Sequence, residues 1–158
     1  MLDRVDQKIL LALQEDGRIT NQALADKVGL SATPCLRRLK RLKNEGYIQG
    51  YTAIVDQKRY GLPISVFVSV KLIHQTDEFI EEFESAVLEW PEVMECYLVT
   101  GGRDYLMRVV TDGLESYEHF IKKKVARLKC VSQLETCFSM NTIKRQVQLP
   151  MMDNKSGA

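Results

Sequence analysis

Apolar residues in the first 46 positions recur every three or four residues, in three blocks separated by glycines. Asp3 suits the N-cap of a first helix, which Gly17 ends, and Thr20 begins a short second helix. After a turn at Gly29, Ser31 is expected to cap a third helix that runs to about residue 45. The residues expected to face inward are Val5, Ile9, Leu10 and Leu13 in the first helix and Ala23, Leu24 and Val28 in the second. Three short helices with a glycine turn predict a helix-turn-helix unit.

From residue 47 onward the apolar period changes from helical to alternating. Residues 47–55 are typical of a short strand, and residues 64–72 alternate as a half-buried strand does. Thr76 is expected to cap an amphipathic helix that Trp90 and Pro91 break. Strands are then predicted at residues 93–100 and 105–111, a helix at 114–128 and a last strand at 131–143. The residues expected to pack inward are Ile64, Val66, Val68, Val70 and Leu72 in the strand and Phe79, Ile80, Phe83 and Val87 in the helix.

This order of elements predicts an α+β chain with two domains. Residues 1–48 form a winged-type helix-turn-helix and residues 49–62 a β linker with a hinge near 56–62. Residues 63–145 follow the β-α-β-β-α-β order of a ferredoxin-like domain. Residues 146–158 are expected to be a tail, frayed from residue 151 onward.

The third predicted helix has two chemically distinct sides. At about 100° per residue, Cys35, Leu36, Leu39 and Leu42 form one apolar stripe. The opposite side and its flanks carry the candidate DNA-contacting residues, which are Ser31, Thr33, Pro34, Arg37, Arg38, Lys40 and Arg41, with Lys43. Five of the seven residues from 37 to 43 are cationic, and no acidic residue lies at helical spacing within that stretch to neutralise them. A solvated basic helix is the alternative, but the second helix of a helix-turn-helix is the element that enters a major groove.

The expected contacts differ along this helix. Ser31 and Thr33, at its start, are placed to meet base edges or phosphates, whereas Arg37 and Arg41 can each donate two hydrogen bonds to guanine or to phosphate. Arg38, Lys40 and Lys43 are expected to contact the DNA backbone, which adds affinity without sequence choice.

Charge and composition favour double-stranded DNA as the partner of the first part of the chain. The 158 residues carry a net charge of only +1. Residues 1–60 hold eleven Lys or Arg against seven Asp or Glu, or +4, and the remainder eleven against fourteen, or −3. A basic half joined to an acidic half indicates that only the first meets a polyanion. No apolar run of about 20 residues and no secretory pattern is present, so we expect a cytoplasmic protein without membrane contact.

The sequence offers little for a metal or an enzyme. Cys35, Cys96, Cys130 and Cys137 lack Cys-x-x-Cys spacing and lie in apolar segments, so we expect small buried hydrophobic residues. His74 and His119 are isolated, which disfavours zinc. Nucleophile–histidine arrangements and zinc-protease motifs are not found. We therefore expect no metal, no cofactor and no enzymatic activity.

Three stretches resemble the Lrp/AsnC family, the feast/famine regulators of transcription. They are residues 6–10 (DQKIL) with 17–18 (GR), residues 29–39 (GLSATPCLRRL) and residues 98–106 (LVTGGRDYL). Together, at these separations, the three stretches form a specific signature of the family, whereas any one of them alone would only be suggestive. The resemblance spans nearly the whole chain. It implies a helix-turn-helix, a β linker and an amino-acid-sensing domain, in a protein that dimerises and assembles into octamers or related oligomers.

The resemblance also implies a site for a small amino acid between sensing domains, near the turn at residues 100–104. Backbone amides at Gly101 and Gly102 would approach the ligand closely, and Asp104 would accept hydrogen bonds from its ammonium group. The remaining candidates are Thr100, Thr136 and Ser139 as polar groups, Tyr97, Leu98 and Met140 as pocket lining, and Arg103 beside the site. The family often has an acidic or polar residue in place of Gly102 and an aromatic or small one in place of Arg103. Arg103 would then favour a carboxylate-bearing ligand or simply face solvent.

Three alternatives stay open at this point. The Gly-Gly pair between two strands is first of all a hairpin turn, and Asp104 can serve that turn alone. The chain could be an architectural protein that bends DNA without a ligand. A sirohaem-decarboxylase-like enzyme of the same architecture is the third, but it would need a basic or histidine-lined porphyrin pocket and would leave a cationic helix unused.

Overall fold

The fold was obtained as a computed structural model, which describes residues 1–151. The chain divides into two compact units. One comprises Met1–Ile54 together with the chain from Ile143 onward, and the other comprises Val55–Thr142. The tail was expected to be frayed from residue 151 onward, and residues 152–158 lie outside the described residues. Before them, Leu149 donates its backbone N–H to the side-chain oxygen of Gln14 at 2.7 Å.

The first unit contains three helices, α1 (Arg4–Glu15), α2 (Asn21–Val28) and α3 (Ala32–Asn44). Asp3 caps α1 as expected, because its carboxylate accepts the backbone N–H groups of Val5 and Asp6. Thr20 caps α2 through its hydroxyl, and Gly29 ends that helix in the left-handed conformation that favours glycine (φ 76°). The shared core is formed by Ile9, Ala12, Leu24, Ala25, Val28, Cys35, Leu39 and Leu42.

Two local predictions for this unit were wrong. Ala23 is exposed and Ala25 is buried in its place, because Ala25, not Ala23, lies on the α2 side that packs into the core. The strand predicted at residues 47–55 does not form in this described segment, which has no regular secondary structure beyond residue 47. A strand needs a second strand to pair with, and no strand within residues 1–151 pairs with this segment. Tyr51 and Ile54 are exposed there.

The second unit has the predicted β-α-β-β-α-β order. Its elements are β1 (Ile64–Leu72), α4 (Asp77–Leu88), β2 (Val93–Leu98), β3 (Tyr105–Thr111), α5 (Leu114–Lys123) and β4 (Val131–Phe138). The antiparallel sheet has the strand order β2-β3-β1-β4. Three element ends differ from the prediction, because β2 stops at Leu98, β4 stops at Phe138, and the helix predicted to residue 128 ends at Lys123 before a 3-10 turn.

One face of this sheet packs against the helices and the other is open. Val66, Val68 and Val70 of β1 are buried together with Phe83 of α4 and Phe120 of α5, so α4 and α5 cover that face. Because successive strand residues point to opposite faces, the open face carries Phe67, Ser69, Lys71, Tyr97, Leu106, Arg108, Glu135 and Cys137. The expectation that all four cysteines are buried was therefore wrong for Cys137, which is exposed on the open face.

Candidate DNA-binding surface and amino-acid site

Helix α3 buries its apolar stripe and exposes a polar, cationic side. Cys35, Leu39 and Leu42 are in the core. Thr33, Arg37 and Lys40 are exposed, and Pro34 is half-buried beside them. Neither Arg37 nor Lys40 forms an ion pair with a residue that the structure describes. Ser31 occupies the N-cap position of α3, but its hydroxyl makes no capping hydrogen bond in the described structure, contrary to expectation.

Two arginines of α3 are held by carboxylates of α1. Arg38 donates from Nη1 to Oδ1 of Asp6 at 2.9 Å and pairs with Asp3 as well. Arg41 donates from Nη2 to Oδ2 of Asp6, and its Nε lies 3.9 Å from Glu45. Residues 37–43 contain no acidic residue, but carboxylates outside that stretch neutralise two of its five cations. Asp3 and Asp6 come from α1, where spacing along α3 gives no signal, whereas Glu45 lies at the end of α3 itself, four residues after Arg41.

The electrostatics of this cluster follow from its hydrogen bonds. The backbone N–H of Asp6 and then the Arg38 guanidinium hold the pKa of Asp3 below its ordinary value, because both favour the charged carboxylate. Asp3 and Asp6 in turn raise the pKa of Arg38. Asp3 and Arg38 are thus stabilised in their charged forms. Sequence reasoning missed Asp6 as the centre of the cluster, and the only local sign of its role is its capping-box spacing from Asp3.

The turn between β2 and β3 is tied to the neighbouring strand β1. Gly101 has a φ of 111°, a left-handed conformation that other residues rarely adopt. Asp104 is buried, and its backbone N–H donates to the carbonyl of Val70 at 2.9 Å. Its carboxylate accepts the backbone N–H of Leu72 at 2.7 Å and the side-chain amide of Gln75 at 2.6 Å. Asp104 therefore links the β2–β3 turn to the end of β1 by hydrogen bonds, a role that the sequence did not predict.

Arg103 is likewise occupied by groups of its own chain. Its guanidinium donates to Gln133 at 2.8 Å and to Glu135 at 3.0 Å, both on β4. Its Nε is buried and has no hydrogen-bond partner among residues 1–151. These two side-chain hydrogen bonds hold Arg103 against β4 and leave its buried Nε–H donor unused.

The structure does not gather all the predicted ligand residues around this turn. Tyr97 and Leu98 are adjacent strand residues and point to opposite faces of the sheet. Thr136 lies on the helix-covered face, where its hydroxyl bonds with that of Tyr117 at 2.7 Å. Ser139 donates its backbone N–H to Ser65, whereas Asp104 contacts Leu72 at the other end of β1, and seven strand residues span roughly 23 Å. Ser139 and the exposed Met140 are thus remote from the turn of the same chain.

Comparison with known proteins assigns the family. Residues 65–149 match the model of the Lrp/AsnC ligand binding domain, and residues 2–49 match a winged helix-turn-helix DNA-binding model. The chain belongs to the Lrp/AsnC family. It is a DNA-binding transcriptional regulator of that family, with the expected helix-turn-helix and ferredoxin-like domains.

Curated Lrp/AsnC relatives cover nearly the entire chain. The Bkd operon transcriptional regulator of Pseudomonas aeruginosa is 42% identical over 150 residues, covering 95% of this chain and 98% of its own. The leucine-responsive regulatory protein of Rhizobium meliloti is 37% identical, covering 94% and 95%. Among solved structures, a transcriptional regulator from Neisseria meningitidis in complex with L-methionine has a TM-score of 0.91 at 35% identity, covering 95% and 97%. These relatives are named as regulators and not as enzymes.

Within residues 1–151 of this Lrp/AsnC protein, no helix combines the length and the apolar character that crossing a membrane requires. In the same residues, His, Cys, Asp and Glu side chains are not grouped in threes or more as a metal site would need.

Proposed function

We propose that this Lrp/AsnC protein is a sequence-specific regulator of genes of amino-acid metabolism and that a small amino acid, bound between subunits, modulates it. The observation that carries the DNA-binding part is the two-sided packing of α3. Leu39 and Leu42 anchor the helix in the core, while Arg37 and Lys40 project into solvent without intramolecular ion pairs among the described residues. An exposed cationic helix on a rigid base is what major-groove entry requires.

The residues of α3 take different parts in the proposed complex. Arg37 is free to make a bidentate contact with guanine or phosphate, and Ser31 and Thr33 stand at the helix start, where base edges are reached. Lys40 contacts phosphate and contributes salt-dependent affinity. Arg38 and Arg41 keep unused N–H donors, since a guanidinium has five.

The proposed effector is a free amino acid, and the relatives support this class. One relative is named leucine-responsive, and the Neisseria meningitidis structure contains L-methionine. In this chain Gly101 and Gly102 leave their backbone open to a ligand, because nothing lies within 4 Å of the place of a side chain. Asp104 is already bonded within the chain, so groups of a second subunit complete the site.

A homodimer supplies that second subunit in this proposal. The open face of the sheet presents Tyr97 and Phe67, 54% and 39% exposed, around the half-buried Leu106. Apolar side chains on an uncovered sheet face are stabilised when a second copy covers them. Two such subunits would present two α3 helices to half-sites about 34 Å apart. Assembly to an octamer or a similar oligomer would follow the family plan.

The proposal includes no catalytic role and no cofactor. A regulator that meets DNA also belongs in the cytoplasm, which agrees with the expectation from the sequence. The architectural alternative differs from it by one measurable property, because an architectural protein would bind selected and scrambled duplexes with similar affinity.

The experiment has two parts. A duplex is selected from a random pool with the wild-type protein, and its affinity is compared with that of Arg37→Ala. Loss of one guanidinium contact is expected to weaken the selected duplex by about tenfold or more, since a bidentate contact contributes ~1–3 kcal/mol. Lys123→Ala, which removes an exposed cation from α5, serves as the control. Unchanged affinity of Arg37→Ala would exclude this side of α3 as the DNA surface.

The second part is a thermal-shift screen of the twenty amino acids. A ligand that binds only the folded protein raises its stability by about 2.7 kcal/mol at one hundred times its Kd. A single effector class should therefore stand out in melting temperature. The absence of any shift at millimolar concentrations would remove amino-acid sensing from the proposal.

A further inference from the structure

The proposed function assigns no role to Asp3 and Asp6, the two acidic residues at the start of α1. Asp6 is 0% exposed, yet both of its carboxylate oxygens are occupied. Oδ1 accepts from Arg38, and Oδ2 accepts from Arg41 and from the backbone N–H of Asp3 at 3.1 Å. Asp6 therefore joins the first turn of α1 to two cations of α3 that are 32 and 35 residues away in sequence.

The arginines held in this way remain accessible. The Arg38 side chain is 29% exposed and the Arg41 side chain is 43% exposed. Each guanidinium uses one or two of its five donors on the carboxylates, so donors remain for a partner. An Arg side chain held by a planar carboxylate loses much of its rotamer freedom before DNA arrives, which favours contacts with one geometry over contacts with any phosphate.

The same carboxylates also change the charge that DNA meets. Asp3, Asp6, Arg38 and Arg41 together carry no net charge, so the uncompensated cations of α3 are Arg37, Lys40 and Lys43. Non-specific affinity depends on the number of phosphates neutralised, whereas specific affinity depends on oriented donors. Arginines that are oriented and charge-compensated by carboxylates thus reduce non-specific affinity and preserve specific affinity.

We propose that Asp6, assisted by Asp3, is a positioning residue that sets the ratio of specific to non-specific DNA binding by orienting Arg38 and Arg41 and compensating their charge. The inference rests on the proposed DNA-binding function and adds a residue that does not itself touch DNA. It differs from a purely structural link between α1 and α3, which would change both kinds of binding together.

The decisive variant is Asp6→Asn, which keeps the shape and removes the charge. Affinities for the selected duplex and for a scrambled duplex of equal length are measured between 50 and 200 mM salt, a range in which phosphate contacts dominate the salt response. We expect scrambled-duplex affinity to rise several-fold with a salt slope steeper by about one, and the specificity ratio to fall about tenfold. Equal losses for both duplexes with an unchanged slope would show a structural role only and overturn the inference.

Asp3→Asn provides a second test in case Asp6→Asn fails to fold. Asp3 caps α1 through Oδ1 and pairs with Arg38 through Oδ2. Asn caps helices as well as Asp does, so this variant keeps the cap and releases only Arg38. The slope and the ratio should change in the same direction as for Asp6→Asn and by a smaller factor. Wild-type values for both would overturn the inference.

Asp26→Asn is the matched control, because it removes one negative charge from α2, where Asp26 bonds with Gln22. A fall in its specificity ratio equal to that of Asp6→Asn would show an effect of net charge alone and overturn the positioning role. The two proposals fail separately. A wild-type protein that selects no duplex overturns the proposed function, whereas a selective wild type with an unaltered Asp6→Asn ratio overturns only the inference.

Discussion

The α3 helix and the turn at residues 100–104 use their charged side chains in opposite ways. Asp3 and Asp6 of α1 hold two arginines of α3, while Arg37 and Lys40 are exposed and form no ion pair with any of residues 1–151. At the turn, the charged side chains of Arg103 and Asp104 are both bonded to their own chain.

This difference indicates what each region can offer a ligand. Helix α3 carries both arginines that are held by carboxylates and exposed cations that are not. A single chain therefore presents all the cationic groups of this surface. The turn offers a ligand mainly its backbone groups, because each oxygen of the buried Asp104 carboxylate already accepts a hydrogen bond from its own chain. In the proposed function, recognition of a zwitterion, which needs groups of both signs, therefore draws on a second copy of the chain. The contrast agrees with DNA contacts made by each subunit and ligand contacts shared between subunits.

The largest expected effect comes from Asp104→Ala at the turn. The variant leaves the buried N–H of Leu72 without an acceptor, and an unsatisfied buried donor costs about 1–3 kcal/mol. We expect urea unfolding to show that loss for the unit of residues 55–142, while DNA affinity stays near the wild-type value. Any amino-acid effect should weaken too.

Asp112→Ala, which removes an exposed carboxylate of the same unit, is the control for this prediction. Wild-type stability of Asp104→Ala, together with a lost amino-acid response, would show that the carboxylate serves the ligand and not the fold. In that case the turn, like α3, would offer a charged side chain to its ligand, and the difference between the two regions would be lost.

A smaller effect is expected from Arg103→Gln. Its contacts with Gln133 and Glu135 lie at a partly exposed position, where an ion pair contributes ~0.2–1 kcal/mol. Thermal unfolding should therefore change little, and the measurement of interest is the preference between neutral and acidic amino acids in the thermal-shift screen. Arg108→Gln, which breaks the pair with Glu95 on the same sheet face, is the matched control. Equal changes of preference in both variants would argue against a particular role of Arg103.

The local parts of the fold were predictable and the non-local parts were not. Helix α1 begins after Asp3, and helix α2 begins after Thr20 and ends at Gly29, as predicted, because capping depends on neighbouring residues. Residues 47–55 have the composition of a strand but do not form one. A strand also needs a partner strand, and the residue pattern does not reveal whether one is present. Cys137 lies in an apolar segment, yet strand register turns it to the open face.

The candidate site shows the same division. The outward side of α3 follows from the helical period, and its exposed residues were identified correctly by position. The bonds of Arg38 and Arg41 join residues more than 30 positions apart, so spacing along one helix could not reveal them. Likewise, the distance between Ser139 and Asp104 depends on which end of β1 each one meets.

The smallest effect concerns the acid stability of the helical unit. Hydrogen bonds from the backbone of Asp6 and from Arg38 lower the pKa of Asp3 in the folded protein. A carboxyl group with a lowered folded pKa stabilises the fold fully above its unfolded pKa, about 3.9, and loses this contribution as the pH falls through the folded value. Half of the Asp3 side chain is exposed, so solvent screening keeps the contribution small.

Asp3→Asn separates this contribution from all other acid effects. The variant keeps the helix cap and cannot ionise, so the stability difference from wild type should be constant between about pH 7 and 5 and shrink toward zero below the unfolded pKa. Urea unfolding at each pH measures this difference. A difference that stays constant down to pH 3 would mean that ionisation of Asp3 contributes nothing, and that the cap alone accounts for its place at the start of α1. Asp6 would then be the one carboxylate of α1 whose charge matters for holding Arg38 and Arg41.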